Sequence, residues 1–350
     1  MNQPPPATSR SHEFQFPASA LAVSVAPPVV AFSALVIGLH LLNSLDWLPA
    51  PESVEGTDRV VMSRRAEMAR SPSAAEVLII GGSSSAIGVE APLLGELLPG
   101  RPEVLNQGMF MGIGMDIYGQ AAGEFVRHHP DQVRLVLLVV TAQQLQNTDM
   151  SSFHQRLWRD LLTRKEVPRE TTRLREALAV DSTRERLINP LLPMTTHGHA
   201  GLFYGHTHHV RNWMAAHGGS MVEDGVYNPT GPVALPEFQI TEAVHAESLA
   251  LRSEVPSSVR LAVAITPLPE SHLPRGYETR RDDLLRRLNT SLQADFLLTN
   301  LPARLPNGYF SSPFHLNLRG ADHFTRLLAA ELEKLPVWNT NGVGLQHNAE

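Results

Sequence analysis

The sequence predicts an α/β protein built on a parallel sheet that helices cover on both faces. Continuous apolar runs ended by glycine or polar residues, such as EVLIIGG at 76–82 and VRLVLLVVTAQQ at 133–144, are typical of strands buried on both sides. These runs alternate along the chain with amphipathic segments, as in a parallel sheet whose strands are joined by helices. A length of 350 residues with 43% hydrophobic side chains suits one large domain or two smaller ones.

The same patterns predict the elements in chain order. We expect strands at 76–82, 103–109, 133–144, 259–269 and 294–300, and helices at 91–100, 114–130, 277–292 and 318–334. The Pro-Gly pair at 99–100 ends the first helix, and Pro130 ends the second. Residues 150–240 combine helical spacing, many arginines and a loop-like stretch, so we expect a mostly helical insertion that projects from the α/β domain.

The N-terminal part has a different composition. The first residues are rich in proline and polar side chains, which is typical of disorder. No Asp, Glu, Lys or Arg occurs from Pro17 to Leu42, and roughly 20 apolar residues suffice to span a bilayer. We therefore predict an uncleaved transmembrane anchor, rather than a cleaved signal peptide or a core helix, with the rest of the chain outside the cytoplasm. The predicted divisions are disordered tails at 1–15 and 336–350, an anchor at 16–48, a stalk at 49–74 and an α/β domain at 75–335.

Composition excludes several classes of function. A formal net charge of -6 argues against a general nucleic-acid-binding protein, which usually presents a basic face. The chain has no cysteine, which excludes disulfides, thiolate catalysis and cysteine zinc sites. Five histidines fall between His197 and His209, but no Asp or Glu is interleaved, and their Gly and Thr neighbours indicate a surface loop. We expect no metal and no cofactor.

Three serines follow the strand at 76–82, at the edge of a parallel sheet where ligands bind. The stretch GSSSAIG, Gly82 to Gly88, resembles the first sequence block of the SGNH (GDSL-like) hydrolase superfamily, Gly-Asp-Ser-x-x-x-Gly, with Ser84 as the nucleophile. The stretch HLNLRGADHFTRLLAAEL, from His315 to Leu332, resembles the block that carries the catalytic histidine. The resemblance implies that His315 is the general base that a serine hydroxyl needs.

The resemblance covers roughly 75–145 and 258–335, and implies a three-layer SGNH or flavodoxin-like α/β/α sandwich. It also implies an oxyanion hole made by the backbone N–H groups of Ser84 and Gly108 and by Gln143, which replaces the usual asparagine. Further pocket candidates are Ser83, Glu270 and Asn317.

The chain departs from this family at the acid of the triad. Relatives often carry Asp three residues before the histidine, where this sequence has Ser312. Three readings follow: Ser312 or a carbonyl orients His315, another acid such as Asp322 or Glu270 substitutes, or the domain is catalytically inactive. We expect Ser312 to lie nearest the ring nitrogen of His315 that does not face the nucleophile. We also expect Ser312→Asp to raise the rate of Ser84 acylation about 10-fold or more.

Anchored SGNH-like proteins with long insertions resemble the O-acyltransferase partners of bacterial envelopes. By this analogy, we expect an acetyl- or acyltransferase on the outer face of the inner membrane that modifies an exported polysaccharide or wall polymer through an acyl-serine. Expected partners are that polymer, the bilayer and a multi-spanning O-acyltransferase, and no nucleic acid. The alternatives are an anchored esterase or deacetylase, and an impaired glycan-binding or scaffold protein.

Overall fold

The computed structural model describes residues 18–44, 56–110, 113–146, 152–163, 214, 216–221, 223–231, 238–273 and 276–338. The chain divides into two units, Met1–Pro51 with Glu166–Leu192, and Glu52–Lys165 with Pro193–Glu350. Of the first unit, the structure describes helix α1 (Ala18–Ser44), which contains Pro27 and Pro28. Our search of the described residues finds no helix with both the length and the apolar character of a membrane span. The predicted tail at 1–15 and the histidine cluster lie outside the described residues.

The second unit is built on a five-stranded sheet in which every strand pair is parallel. In chain order, the strands of this unit are β1 (Val77–Gly81), β2 (Val104–Asn106), β3 (Leu135–Val140), β4 (Arg260–Ile265), β5 (Leu268–Pro269), β6 (Phe296–Leu297) and β7 (Arg304–Leu305). The main sheet has the order β2-β1-β3-β4-β6, and β5 pairs with β7 in a separate parallel pair. Val77 is in register with Val104 on one side and Leu135 on the other. The predicted parallel α/β fold is confirmed.

Alternate strand residues face two hydrophobic clusters, one on each side of the sheet. The helices that the structure describes in this unit are α2 (Gly56–Arg70), α3 (Ser83–Gly88), α4 (Ala91–Leu97), α5 (Met115–His128), α6 (Ser152–Thr163), α7 (Glu242–Glu254), α8 (Tyr277–Leu292) and α9 (Leu318–Leu332). One cluster joins Leu78 and Ile80 to α2, α5, α7 and α8. The other joins Val77 and Ile79 to α4 and α9. Both faces of the sheet are therefore covered by helices, as the unbroken apolar strands require.

Helix α2 corrects the prediction of a stalk at 49–74. Val61, Met62 and Ala69 on this helix are fully buried, and Met62 and Ala69 belong to the same cluster as α5. The prediction of a disordered tail at 336–350 is wrong for its first residues, because Pro336–Trp338 forms a 3-10 turn in which Trp338 is buried; positions 339–350 lie outside the described residues. Large apolar side chains at both ends therefore complete the core of the second unit.

The sequence suggested that the region at 150–240 projects from the domain, but described parts of this region pack against it. Trp158 on α6 is fully buried in the cluster that contains α5. Further along, the N–H of Met221 donates to the carbonyl of Ala86, and the N–H of Asn106 donates to the carbonyl of Gly218, both at 2.7 Å. Helix α7 adds to the predicted elements; the side chain of Thr241 accepts from the N–H of Val244 and caps its start.

The carboxyl ends of β1 and β3 lie side by side where the strand order reverses. From β1 the chain moves to β2 on one side, and later to β3 and β4 on the other. Ligands of open parallel sheets bind in the crevice at such a point. Helix α3 begins there directly after β1, and a 3-10 helix, Ala142–Gln146, begins there after β3.

Candidate active site

Ser83 and His315 meet at this edge of the sheet. Ser83 is the first residue of α3 and is half-buried, while His315 stands in the turn before α9. Ser83 Oγ lies 2.9 Å from His315 Nε2. Because 232 positions separate the two residues in the chain, only the fold brings them together.

Glu223 lies on the opposite side of the His315 ring. Its Oε2 is 2.6 Å from His315 Nδ1 and is shielded from solvent. The Glu223 side chain is 38% exposed and that of His315 26% exposed, so both remain close to the surface. A carboxylate beside Nδ1 favours the tautomer with its proton there, which leaves Nε2 free to accept from the Ser83 hydroxyl. Serine, histidine and glutamate thus form a continuous chain of contacts.

The three consecutive serines have different environments, and this shifts the expected nucleophile by one residue. Ser84 is only 6% exposed, and the structure brings the Oγ of Ser83, not that of Ser84, to His315. Ser85 is fully buried, and its Oγ donates to the carbonyl of Gly82 at 2.7 Å. An α-helix has about 3.6 residues per turn, so successive side chains point about 100° apart. The three serines therefore point in different directions, and Ser83 is the one that faces the histidine.

Ser312 does not orient the His315 ring, contrary to our expectation. Its Oγ accepts from the backbone N–H of His315 at 3.1 Å and from that of Phe314 at 3.4 Å. A short hydroxyl that bonds nearby backbone groups in this way shapes the turn. Ser312 therefore places the main chain of His315, and Glu223 takes the position beside the ring.

The other two acids considered from the sequence are Asp322, which is paired with an arginine, and Glu270, which is exposed. Asp322 accepts from Arg326 Nε and Nη2, both at 2.9 Å, and this bidentate pairing lowers the pKa of Asp322. Glu270 is exposed in a 3-10 helix, Glu270–His272, after β5. Nothing in the sequence pattern singled out Glu223, because it stands in a loop without helical or strand periodicity.

Of the predicted oxyanion donors, Gly108 is already engaged. Its N–H donates to Asn106 Oδ1 at 2.9 Å, a side-chain turn two residues long. Gly108 must be glycine, because a Cβ there would collide with Ser85 Oγ and the backbone of Ala86. The predicted role of Gly108 as an oxyanion donor therefore requires this bond to open.

Two glutamines follow β3 at the same edge. Gln144 is buried; its Oε1 accepts from the N–H of Thr141 at 2.9 Å, and its Nε2 donates to Tyr118 Oη at 3.0 Å. Gln143 is less buried, and its Oε1 has no hydrogen-bond partner in the described part of the chain. Gln144 is thus held in structural bonds, and the predicted part of Gln143 in an oxyanion hole stays a prediction.

A buried arginine that sequence reasoning missed holds the loop after β2. Arg65 of α2 is fully buried, donates from Nε to the carbonyl of Gly108 at 2.9 Å, and also donates from Nη1 to the carbonyl of Asn106. Burial, and then the charge of Arg64, lower the pKa of Arg65 to about 9, which leaves it charged at neutral pH. The charge-assisted bonds fix the loop that packs against α3.

Asn317 connects the segment that contains Glu223 to the turn that contains His315. Its Nδ2 lies within hydrogen-bond distance of the carbonyls of Gly225, Gly308 and Phe310, at 2.9, 3.0 and 3.2 Å. Its Oδ1 accepts from the N–H of Gly320 at 3.0 Å and caps α9. Gly225 has φ +130, which residues with a side chain rarely adopt. Asn317, a predicted pocket residue, is thus a structural link between the two halves of the site.

We compared the chain with protein-family models, with curated proteins and with solved structures, and none of the three comparisons found a match.

Proposed function

We propose that the protein is a serine-dependent enzyme that transfers an acyl group through an ester bond to Ser83. The observation that supports this most directly is the chain of contacts from Ser83 Oγ to His315 Nε2 at 2.9 Å, and from His315 Nδ1 to Glu223 at 2.6 Å. A serine hydroxyl is a weak nucleophile at its free pKa and is activated by an adjacent base that a third group orients. The three side chains match these roles.

The reaction proceeds in two transfers. Ser83 Oγ attacks the carbonyl carbon of an ester while His315 Nε2 takes the hydroxyl proton. The tetrahedral species collapses as His315 returns that proton to the departing alcohol, which leaves acyl-Ser83. A second hydroxyl, from water or an acceptor alcohol, then attacks the acyl carbon in the same way and releases Ser83. Glu223 stabilises the positive charge that His315 carries in each step.

The SGNH resemblance supports the same chemistry, although its first block matches less fully when it is read one residue earlier. With Ser83 as nucleophile, Gly81 and Gly82 take the positions of Gly-Asp, a replacement compatible with the pattern, whereas Ile87 stands in place of the closing glycine. The strand order corresponds to the 2-1-3-4-5 order of flavodoxin-like sheets, because β6 is the fifth strand of the main sheet. The nucleophile's own N–H would then be that of Ser83, with Gln143 as the side-chain donor.

For the acceptor, we propose a hydroxyl of an exported polysaccharide or wall polymer, with a multi-spanning O-acyltransferase as the acyl source. This proposal rests on analogy with anchored envelope proteins. An esterase differs only in using water as the acceptor. The scaffold alternative rested on the missing aspartate at Ser312, and Glu223 supplies a carboxylate beside His315. Incubation with an activated ester and the polymer distinguishes the transferase from the esterase: a transferase forms acylated polymer, and an esterase releases the free acid.

We also keep the N-terminal anchor and the extracytoplasmic location as proposals, on the uncharged stretch from Pro17 to Leu42. Alkaline carbonate extraction of membranes tests the anchor: an anchored chain stays in the pellet, and recovery in the supernatant contradicts the proposal.

Labelling with a fluorophosphonate probe tests the nucleophile, with two neighbouring serines as a matched pair. We expect the native protein and Ser84→Ala to be labelled at Ser83, and Ser83→Ala to lose labelling, because of these two serines it is Ser83 whose hydroxyl contacts the His315 ring. Peptide mass spectrometry identifies the labelled residue. Labelling that persists in Ser83→Ala, or that is absent from every folded variant, contradicts the proposed function.

A further inference from the structure

A cavity of about 390 Å³ lies along one face of α8, and none of its lining residues belongs to the Ser83–His315–Glu223 site. Its lining includes Tyr277, Arg280, Leu284 and Arg287, which recur every three or four residues and so share one side of the helix. Phe238, from the segment before α7, lines it as well. The volume falls in the range typical of small-molecule sites.

The inner part of this cavity is apolar except for one hydroxyl. Phe238 and Leu284 are buried, and the Phe238 ring meets that of Tyr277 edge-on with 5.3 Å between centroids. Tyr277 is only 2% exposed, and its hydroxyl has no hydrogen-bond partner among the residues that the structure describes. Burial raises the pKa of Tyr277, so the phenol is neutral and able to donate. A buried hydroxyl without a partner is unfavourable, and a ligand oxygen would satisfy it once the side chains that close it off from solvent move aside.

The rim of the cavity is charged. It contains two guanidinium groups, Arg280 and Arg287, and one carboxylate, Asp283, so the charges sum to one positive. Arg280 Nε donates to the carbonyl of Gly276 at 3.3 Å, and Arg287 is exposed on the next turns of α8. Guanidinium groups bind carboxylates with strong, charge-assisted hydrogen bonds. The rim therefore favours a monoanion.

We propose that this cavity binds an amphipathic monocarboxylate that carries a second oxygen at the end opposite its carboxylate. The apolar body packs against Phe238 and Leu284, the carboxylate contacts Arg287 at the rim, and the distal oxygen pairs with the Tyr277 hydroxyl. This inference is independent of the proposed acyl transfer, because the two sites share no residue.

Calorimetric titration with three small probes tests the proposal. 4-Hydroxycinnamate has both groups, cinnamate lacks the distal hydroxyl, and cinnamamide lacks the charge. We expect the native protein to bind 4-hydroxycinnamate about tenfold tighter than cinnamate, since one hydrogen bond is worth roughly that factor. Cinnamamide should bind weakest of the three.

Variants assign each contact. Tyr277→Phe should abolish the preference for the hydroxyl while cinnamate binding is kept, and Arg287→Gln should weaken both acids about tenfold without changing cinnamamide. Arg286→Gln changes an exposed neighbour outside the cavity and should leave all three affinities unchanged. The unfolding midpoint of ligand-free Tyr277→Phe should equal or exceed that of the native protein, because an unpaired hydroxyl is removed.

Three results would overturn the proposal: no measurable binding of either acid to the native protein, a hydroxyl preference that survives Tyr277→Phe, or acid affinities that Arg287→Gln and Arg286→Gln change equally. Arg287 is exposed, so its variant tests the charge contact without disturbing the core.

Discussion

At the scale of single residues, the groups around His315 have separate tasks. Glu223 lies 2.6 Å from Nδ1 of the ring, whereas the hydroxyl of Ser312 accepts from the backbone N–H of the same residue at 3.1 Å. A carboxylate can offset the charge of an imidazolium, and a hydroxyl cannot. We therefore no longer expect Ser312→Asp to raise the acylation rate, because a carboxylate already faces the ring.

Replacing Glu223 tests this assignment. We expect Glu223→Gln to lower the rate of Ser83 labelling on the order of 10³-fold, because an amide neither enforces the tautomer nor offsets the charge of His315. Asp224→Asn is the matched control: it removes the same charge from an exposed neighbour and should change the rate less than about twofold. Equal effects of the two substitutions would contradict the role of Glu223.

A buried carboxyl elsewhere predicts how stability depends on pH. Burial raises the pKa of Glu247, the charge of Asp116 raises it further, and the bond from the N–H of Met115 to Oε2, at 2.8 Å, partly opposes them. A protein in which the pKa of an acid is higher in the folded state becomes less stable as pH rises from the pKa of the unfolded state, about 4.3, toward the pKa of the folded state.

Glu247→Gln should therefore stabilise the protein relative to the native chain at pH 7 and less so at pH 4, because glutamine does not titrate. The amide oxygen can still accept from Met115. Urea unfolding of both proteins at the two pH values measures the difference, and a difference that is constant or larger at pH 4 contradicts the prediction.

At the scale of elements, the site requires that two short segments stay together: the segment at 223–231, which contains Glu223, and the turn before α9, which contains His315. The segment at 223–231 is held by the Asn317 amide at the carbonyl of Gly225, and by the N–H of Tyr227, which donates to the carbonyl of Phe310 at 2.7 Å. Neither segment is a helix or a strand of the sheet, so a side-chain bond and a single backbone bond hold them in place of a regular backbone ladder.

Asn317→Ser tests this link, because serine still caps α9 but has no amide to donate. We expect a loss of about 1–3 kcal/mol in the free energy of unfolding, from carbonyls left without donors. The labelling rate of Ser83 should fall as Glu223 loses its position. Thr241→Ala removes the cap of α7 instead, costs about 1 kcal/mol, and should leave the labelling rate unchanged. Equal labelling of the two variants would show that Asn317 does not position Glu223.

At the scale of the whole molecule, α2 determines where the α/β unit begins. Met62 and Arg65 on this helix are fully buried, the first against the cluster that includes α5 and the second against the loop at 106–108. A stalk would leave these side chains in water. The helix therefore contributes both to the core, through Met62, and to the site, because Arg65 holds the loop beside α3.

Met62→Ala should lower the free energy of unfolding by about 2–5 kcal/mol, as expected for a large buried side chain. Glu67→Ala, on the same helix, removes a 51% exposed side chain that pairs with Arg64 at 2.7 Å, and should cost less than about 1 kcal/mol. Urea unfolding measures both. A small effect of Met62→Ala would place α2 outside the cooperative core.

Local patterns in the sequence were sufficient for the sheet, and the resemblance to the SGNH blocks pointed to His315. The runs at β1, β3 and β4 are apolar at nearly every position, and such segments are stable only when both faces are buried. The edge where Ser83 lies follows from the same pattern, because polar residues directly after parallel strands collect at their carboxyl ends. Helix α7 was also within reach of sequence reasoning, through its capping residue Thr241.

The tertiary structure alone decided which serine and which acid meet the histidine. The choice of Ser83 depends on the direction in which α3 leaves β1, and adjacent serines have the same chemistry, so composition cannot separate them. Glu223 stands in a loop far from both partners in the chain, and Asn317 and Gly225 hold that loop in place. Burial and periodicity are properties of neighbouring residues and can be read locally. A contact between distant segments depends on how the whole chain packs, and no local pattern specifies it.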